Sequence, residues 1–295
     1  MYSAYFRFLN SCNSFQILVF LHFVGTNSFY HVVRDSQGPS PQTVGRIVRR
    51  VASALFDLKN EIICWPDNPE SLRQQFYQFG HFPSVAGCLD GSHVLVRPPK
   101  NDEASFLNRH HQHSINLLGV CGPNFEFLYL NANSGGRRHD AKVLRTSSLW
   151  RKFEQGDLPF QGALLLGDSA YPLRSWLMTP ILGAQDRASQ RYNSAHAKTR
   201  NLIERSFAIL KNRFHILQSG IRFHSMNLAS KIIICCGILH NLAIRHGDTY
   251  DDEEDDTEPN QNPRAPELDN DLGDPVEDQN GRLRRNRLLI QFSRP

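Results

Sequence analysis

Four acids in this chain stand where a carboxylate has little structural reason to be. Asp90 lies in Gly87-Cys88-Leu89-Asp90-Gly91-Ser92-His93, inside an apolar run that reads as a strand. A charge there is costly unless it is paired or bound to a metal. Asp168 follows three leucines, Leu164-Leu165-Leu166, which read as a strand buried on both faces. Gly167 and Pro172 close that run. Asp168 therefore sits where a buried strand meets a loop, the place where open α/β sheets carry their chemistry. Glu204 lies on a long helix, one step off the apolar stripe, and Asp140 follows Arg137-Arg138-His139 at the start of another. Three of the four have a plainer reading. Asp168 can cap a turn, Asp140 can cap its helix, and Glu204 can pair with Arg200 at i,i+4. Asp90 has no such local use.

Carboxylates that converge from separate elements at a sheet edge suit Mg²⁺, a hard cation that takes oxygen ligands and keeps several waters; Mn²⁺ is the second candidate. A pair of such ions activates water and stabilises the leaving oxygen of a phosphodiester. The six cysteines show no CxxC spacing, and no His/Cys set has zinc-ligand spacing. The thiols read as buried and reduced.

The elements that must position these acids can be read in order. Residues 15–24 form a buried helix, too short to span a bilayer, and residues 29–34 a second short one. The turn 35–39 leads to Ser40, which caps an amphipathic helix over 40–57. Its apolar positions are Val44, Ile47, Val48, Val51 and Leu55, with Arg46, Arg49 and Arg50 on other faces. This outline is that of a helix-turn-helix, against the alternative of a helical cap with a solvated arginine face. Strands follow at 85–96, 115–121 and 125–131, then a helical stretch at 139–155 and a strand at 163–168. Helices over 195–214 and 228–244 complete the body. The order βββ-α-β-α fits an α/β fold of ribonuclease-H-like type, a mixed sheet flanked by helices.

Charge divides the chain. Residues 248–278 carry fourteen acids and one arginine, residues 279–295 carry five arginines and no acid, and the body is strongly basic within a formal total of +4. A basic body favours a polyanionic partner. The tail has almost no core-forming residues and reads as a disordered acidic segment with a basic end. The expected divisions are a helix-turn-helix-like region at 1–60, a connecting segment at 61–84, a catalytic domain at 85–246 and the tail at 247–295.

Taken together, seven stretches resemble the DDE-type transposases of the PIF/Harbinger superfamily, including its transposase-derived nucleases. They are Gly87 to His93; Asn108-Arg109 with His113-Ser114-Ile115-Asn116; Ser134 to Ser148 with His139-Asp140; Gly167 to Leu173; Trp176 to Pro180; Ile203-Glu204-Arg205-Ser206-Phe207 with Leu210-Lys211-Asn212-Arg213-Phe214; and Leu239-His240-Asn241. The resemblance spans about residues 15–246. It implies a catalytic triad of Asp90, Asp168 and Glu204, the last two an interval of 36 apart, and Asp140 as a further acid at the metal. It implies a metal-dependent DNA endonuclease, with transposase strand transfer as an extension of the same chemistry. DNA is the expected partner, a Myb/SANT-like DNA-binding protein a second one, and no membrane is involved. The expected location is the nucleus, with the cytoplasm as a second site. Relatives carry more sequence before the helix-turn-helix, so an N-terminal part reads as missing. Two other functions stay open: a domesticated DNA-binding protein that keeps the fold without the reaction, and an adaptor that binds partners through residues 248–278.

Overall fold

The computed structural model describes residues 11–99, 101–223, 225–248 and 278–293. Its centre is a five-stranded mixed sheet in the order β3-β2-β1-β4-β5. The strands are β1 (Val85–Leu95), β2 (Ser114–Cys121), β3 (Phe127–Gly135), β4 (Leu164–Leu166) and β5 (Leu177–Met178). β1, β2 and β3 form an antiparallel meander, and β4 and β5 then run parallel to β1. Every residue of β2 is buried, and so are the three leucines of β4. These strands therefore read as continuous apolar runs rather than alternating ones. β1 joins the two halves of the topology, because it pairs antiparallel with β2 on one side and parallel with β4 on the other.

Helices cover the sheet. α1 (Ser14–Thr26), α2 (Tyr30–Gln37), α3 (Pro41–Phe56), α4 (Lys59–Ile62) and α5 (Pro69–Gly80) precede it. α3 starts as the sequence predicts: the Ser40 hydroxyl accepts from the Thr43 N–H at 3.3 Å, and Pro41 opens the first turn. Gly38, at φ 93°, ends α2 in the left-handed conformation that glycine adopts without strain. The stripe Val44, Ile47, Val48, Val51 and Leu55 is buried, and α3 packs on α1 and on α10 (Met226–Arg245). α10 is long and apolar enough to cross a membrane by composition, yet here its apolar side chains fill the space between α3 and β3. Between β3 and β4 lie α6 (Asp140–Arg145) and α7 (Ser148–Glu154), two helices where one helical stretch is expected.

α8 (Arg187–Arg213) is the long helix behind the site, packed on β1, β2 and β4 and followed by α9 (His215–Ser219). It begins eight residues before the expected start at 195. Asp186 caps it through the Ser189 N–H at 3.0 Å, and the polar first turns carry no apolar stripe to announce them.

The tail differs from expectation. Its basic end is α11 (Gln279–Phe292), a helix packed on α8 and β5. Burial here does not come from a periodic apolar face. Gly281 lies against the Arg174 backbone, Leu288 is buried, and Phe292 packs its ring against Phe82 and Tyr192. Arg284 donates to the Gly162 carbonyl at 3.1 Å. Residues 249–277, most of the acidic stretch, lie outside the described residues.

Candidate active site

β1 delivers Asp90 to the middle of the sheet, opposite Gly119 of β2. Its Oδ1 accepts from the Gly91 N–H at 2.8 Å, and its Oδ2 meets Arg200 of α8 at 3.1 Å. Arg200 also grips Glu204 one turn further along the same helix. The i,i+4 pairing read from the sequence is therefore real, but it is half of a bridge. One guanidinium joins the central strand to Glu204, 110 residues of chain separating Arg200 from Asp90. Fractional exposure sorts the partners: Arg200 and Asp90 keep 21% and 18% of their side chains open, Glu204 51%.

Asp168 follows β4 by two residues, so it reaches the same end of the sheet as Asp90. Its Oδ1 accepts from the Ala170 N–H at 3.0 Å, so the turn-capping role is filled as well. Gly167 makes room behind it: a methyl group there would sit 2.9 Å from the Tyr171 ring. That leaves Tyr171 buried beneath the acids, its hydroxyl without a hydrogen-bond partner among the described residues.

Asp140 stands at a helix start, as its sequence context suggests, but not at the cap. His139 occupies the cap position of α6, and Asp140 is the first helical residue. Its Oδ1 accepts from Asn116 Nδ2 at 2.6 Å, and the same amide donates to the Arg138 carbonyl at 3.0 Å. Asn116 of β2 thus fixes both the acid and the loop before it. Asp140 presses on β1 at Gly91, where a methyl group would fall 2.2 Å from its Oδ1. Successive strand residues face opposite ways, so Asp140 meets β1 on the side that Asp90 leaves empty.

Electrostatics tie the four together. Burial pushes the Asp90 carboxyl up to about 7; Arg200 opposes this, and Asp168 and Asp140 add to it. Burial also raises Asp168, again against Arg200, with Asp140 and Glu204 reinforcing the rise. Tyr171 is driven far up by burial and then by Asp140, Asp90 and Asp168. Burial alone would lower Arg200, but Asp90, Glu204 and Asp168 outweigh it and raise it. These are the marks of like charges crowded in a poorly solvated place around one cation.

The donor set fits a hard divalent cation: carboxylate oxygens, and next to Asp140 the buried amide oxygen Asn116 Oδ1, which has no partner among the described residues. Among the described residues no group of three His, Cys, Asp or Glu closes to metal-binding geometry. Arg200 pairs with two of the acids, Asp90 and Glu204. Sequence reasoning missed Asn116 and Tyr171 as neighbours of the acids. The signal for Asn116 was a polar side chain in an otherwise apolar strand.

Comparison with known proteins decides the family. Residues 89–241, which hold all four acids, match the family described as DDE superfamily endonuclease. The protein named "Putative nuclease HARBI1" of Homo sapiens is 35% identical over 237 residues, covering 79% of this chain and 67% of the relative. The chain belongs to the Harbinger-type DDE superfamily. The Xenopus laevis protein of the same name is 31% identical over 283 residues, 94% of this chain and 80% of its own. An Arabidopsis thaliana relative, "Protein ALP1-like", is 25% identical over 253 residues, 81% of this chain and 62% of its own. No solved structure matches this Harbinger-type chain. DDE endonuclease domains generally use divalent metals, and a nuclease of this family acts on DNA.

Proposed function

We propose that the chain is a metal-dependent DNA endonuclease, with Asp90, Asp168 and Glu204 as its catalytic acids and Asp140 as a fourth acid at the metal. The observation that carries the reading is the raised Asp90, a buried strand carboxylate crowded by Asp168 and Asp140 and answered by a single cation. Perturbed acids of this kind cluster at functional sites. A strand order of three antiparallel strands continued by two parallel ones supports a ribonuclease-H-like fold for the domain.

A bound divalent ion, Mg²⁺ in our reading, would activate water and neutralise charge at the leaving oxygen. Asp90 and Asp168 would hold it from adjacent strands and Glu204 from α8, with Asp140 beside β1. Arg200 pairs with Asp90 and Glu204 and would have to release them for an ion to bind both. Asn116 fixes Asp140, and Tyr171 keeps water away from the floor. The helices α1–α3 fit a helix-turn-helix whose third helix enters the major groove. The reading places the protein in the nucleus, with a cytoplasmic pool, beside a Myb/SANT-like partner, and makes strand transfer an extension of hydrolysis.

The test is cleavage of supercoiled and linear DNA in Mg²⁺ or Mn²⁺ by the parent and by Asp90→Asn, Asp168→Asn and Glu204→Gln. Each substitution keeps shape and removes charge, and each should abolish cutting while the folded protein persists. Cleavage by all three at the parent's rate ends the reading. A second reading, DNA binding without cleavage, rests on the Arg200 bridge, which can satisfy the acids permanently. It predicts no thermal stabilisation by Mg²⁺, whereas a binding site stabilises by ligand linkage.

A further inference from the structure

We infer that the groove beside the acids, floored by Phe106 and rimmed by Arg137, Arg138 and Lys142, is a subsite for one unpaired nucleotide of the DNA strand; this rests on the nuclease reading. The groove has a volume of about 520 Å³. Arg137, Arg138 and Lys142 line it, and none of the three forms an ion pair among the described residues. Other cations are different: Arg34, Arg73 and Lys152 each pair with an adjacent acid. One acid, Asp102, also lines the groove, and its Oδ1 already accepts from the Ser105 hydroxyl at 2.5 Å. Three cations against one carboxylate leave this concave place net positive, which favours a phosphate.

The groove is built rather than incidental. Gly135 and Gly136 let the segment around Ser105 close on the end of β3; methyl groups there would fall 2.2 Å from the Ser105 carbonyl and 2.1 Å from the Ser114 hydroxyl. Backbone bonds lock the walls: Arg137 N–H donates to the Ser105 carbonyl at 3.3 Å, and Ser114 N–H to the Phe106 carbonyl at 2.9 Å. Arg138 and Asp140 are two residues apart and share Asn116, so their backbones lie within about 7 Å. A strand whose reacting phosphate lies at the acids would therefore come within reach of the groove. Phe106 lines it and is half-buried, and Asn133 lines it with an exposed side chain. An aromatic face with a cationic rim is how proteins hold an unstacked base and its phosphate.

The experiment measures DNA binding by fluorescence anisotropy in EDTA, without divalent ions, across a salt series, using the full chain. The probes are a blunt duplex, the same duplex with a short single-stranded end, and inorganic phosphate as competitor. Replacing Arg137, Arg138 and Lys142 together with Ala should weaken binding on the order of tenfold. It should also flatten the salt slope by roughly 0.7–0.9 for each phosphate the groove no longer neutralises. Phe106→Leu keeps an apolar floor but removes the ring. It should weaken the overhang probe about fivefold or more and leave the blunt one unchanged. Replacing Arg73 and Lys152 with Ala removes charge away from both the groove and helices α1–α3 and should leave the slope as it was. Unchanged binding in the groove variants overturns the subsite, as does equal loss on both probes in Phe106→Leu. If those results come from a parent that cuts DNA, only this inference falls. If the parent neither binds nor cuts DNA, the nuclease reading falls and the subsite with it.

Discussion

The acid cluster and helix α3 both carry charge, and they handle it in opposite ways. At the cluster, Asp90, Asp168 and Arg200 are drawn out of water and must answer one another. On α3, Arg46, Arg49 and Arg50 all stay exposed over a buried apolar stripe. Arg49 donates to the Gly45 carbonyl and Arg50 to the Ser11 carbonyl, so among the described residues these two side chains hold backbone oxygens and not carboxylates. Buried charge costs the fold energy and shifts proton equilibria before any ligand arrives. Exposed charge does little until a partner brings the opposite sign. The first kind of site should announce itself in stability and pH, the second only in binding.

The largest contrast should come from Asp90. Its folded-state carboxyl titrates near 7, above its unfolded value of 3.8. Between those values the native state binds the extra proton, so stability falls as pH rises through the window. The metal-free protein should lose on the order of 2–4 kcal/mol from about pH 4 to pH 7 through this group. Asp90→Asn should flatten that part of the profile and be the more stable protein at pH 8. Arg200→Gln should do the reverse, with its main penalty above pH 7, where Asp90 is charged and unanswered. Chemical denaturation of the three proteins at pH 5 and pH 8 checks this. If all three have parallel pH profiles, the cluster is not electrostatically coupled.

A smaller effect belongs to the wall between Asp140 and β1. Gly91→Ala places a methyl group 2.2 Å from Asp140 Oδ1 and must move the acid or the strand. Overpacking of this kind costs about 1–3 kcal/mol. A lower denaturant midpoint at unchanged slope is the expected result. Asp140→Asn keeps a side chain that can still accept from Asn116, so it should cost less. A Gly91→Ala protein as stable as the parent would mean that Asp140 has room to spare.

These contrasts also explain what could be read from the sequence. Asp90 was legible because a charge in an apolar strand breaks the pattern around it. The strands β1, β2 and β4 were legible because burial on both faces writes long apolar runs. β5 is two residues long, too short to leave a period. α11 was hidden because its docking uses a glycine, one leucine and a terminal phenylalanine in place of a stripe. Arg200 showed its local partner Glu204 at helical spacing and concealed Asp90, since pairing across the fold leaves no mark in the spacing. Asp140 was legible as a helix start but not as the first helical residue in place of the cap, because a helix start tolerates acids both at the cap and just inside it.

The smallest effect on the fold, and the sharpest test of the other half of the comparison, lies on α3. Replacing Arg46, Arg49 and Arg50 with Ala removes three exposed charges and leaves the buried stripe intact. Stability should change by no more than about 0.5 kcal/mol per site, because exposed side chains away from the core rarely matter more. DNA binding should respond where stability does not. Every phosphate that α3 no longer neutralises should lower the salt slope by about 0.9, and the blunt duplex should suffer as much as one with a single-stranded end. That last feature separates α3 from the groove beside the acids, where an unpaired nucleotide makes the difference. A triple variant that binds duplex DNA with the parent's affinity and salt slope would make α1–α3 a helical cap on α10, with its arginines facing water only.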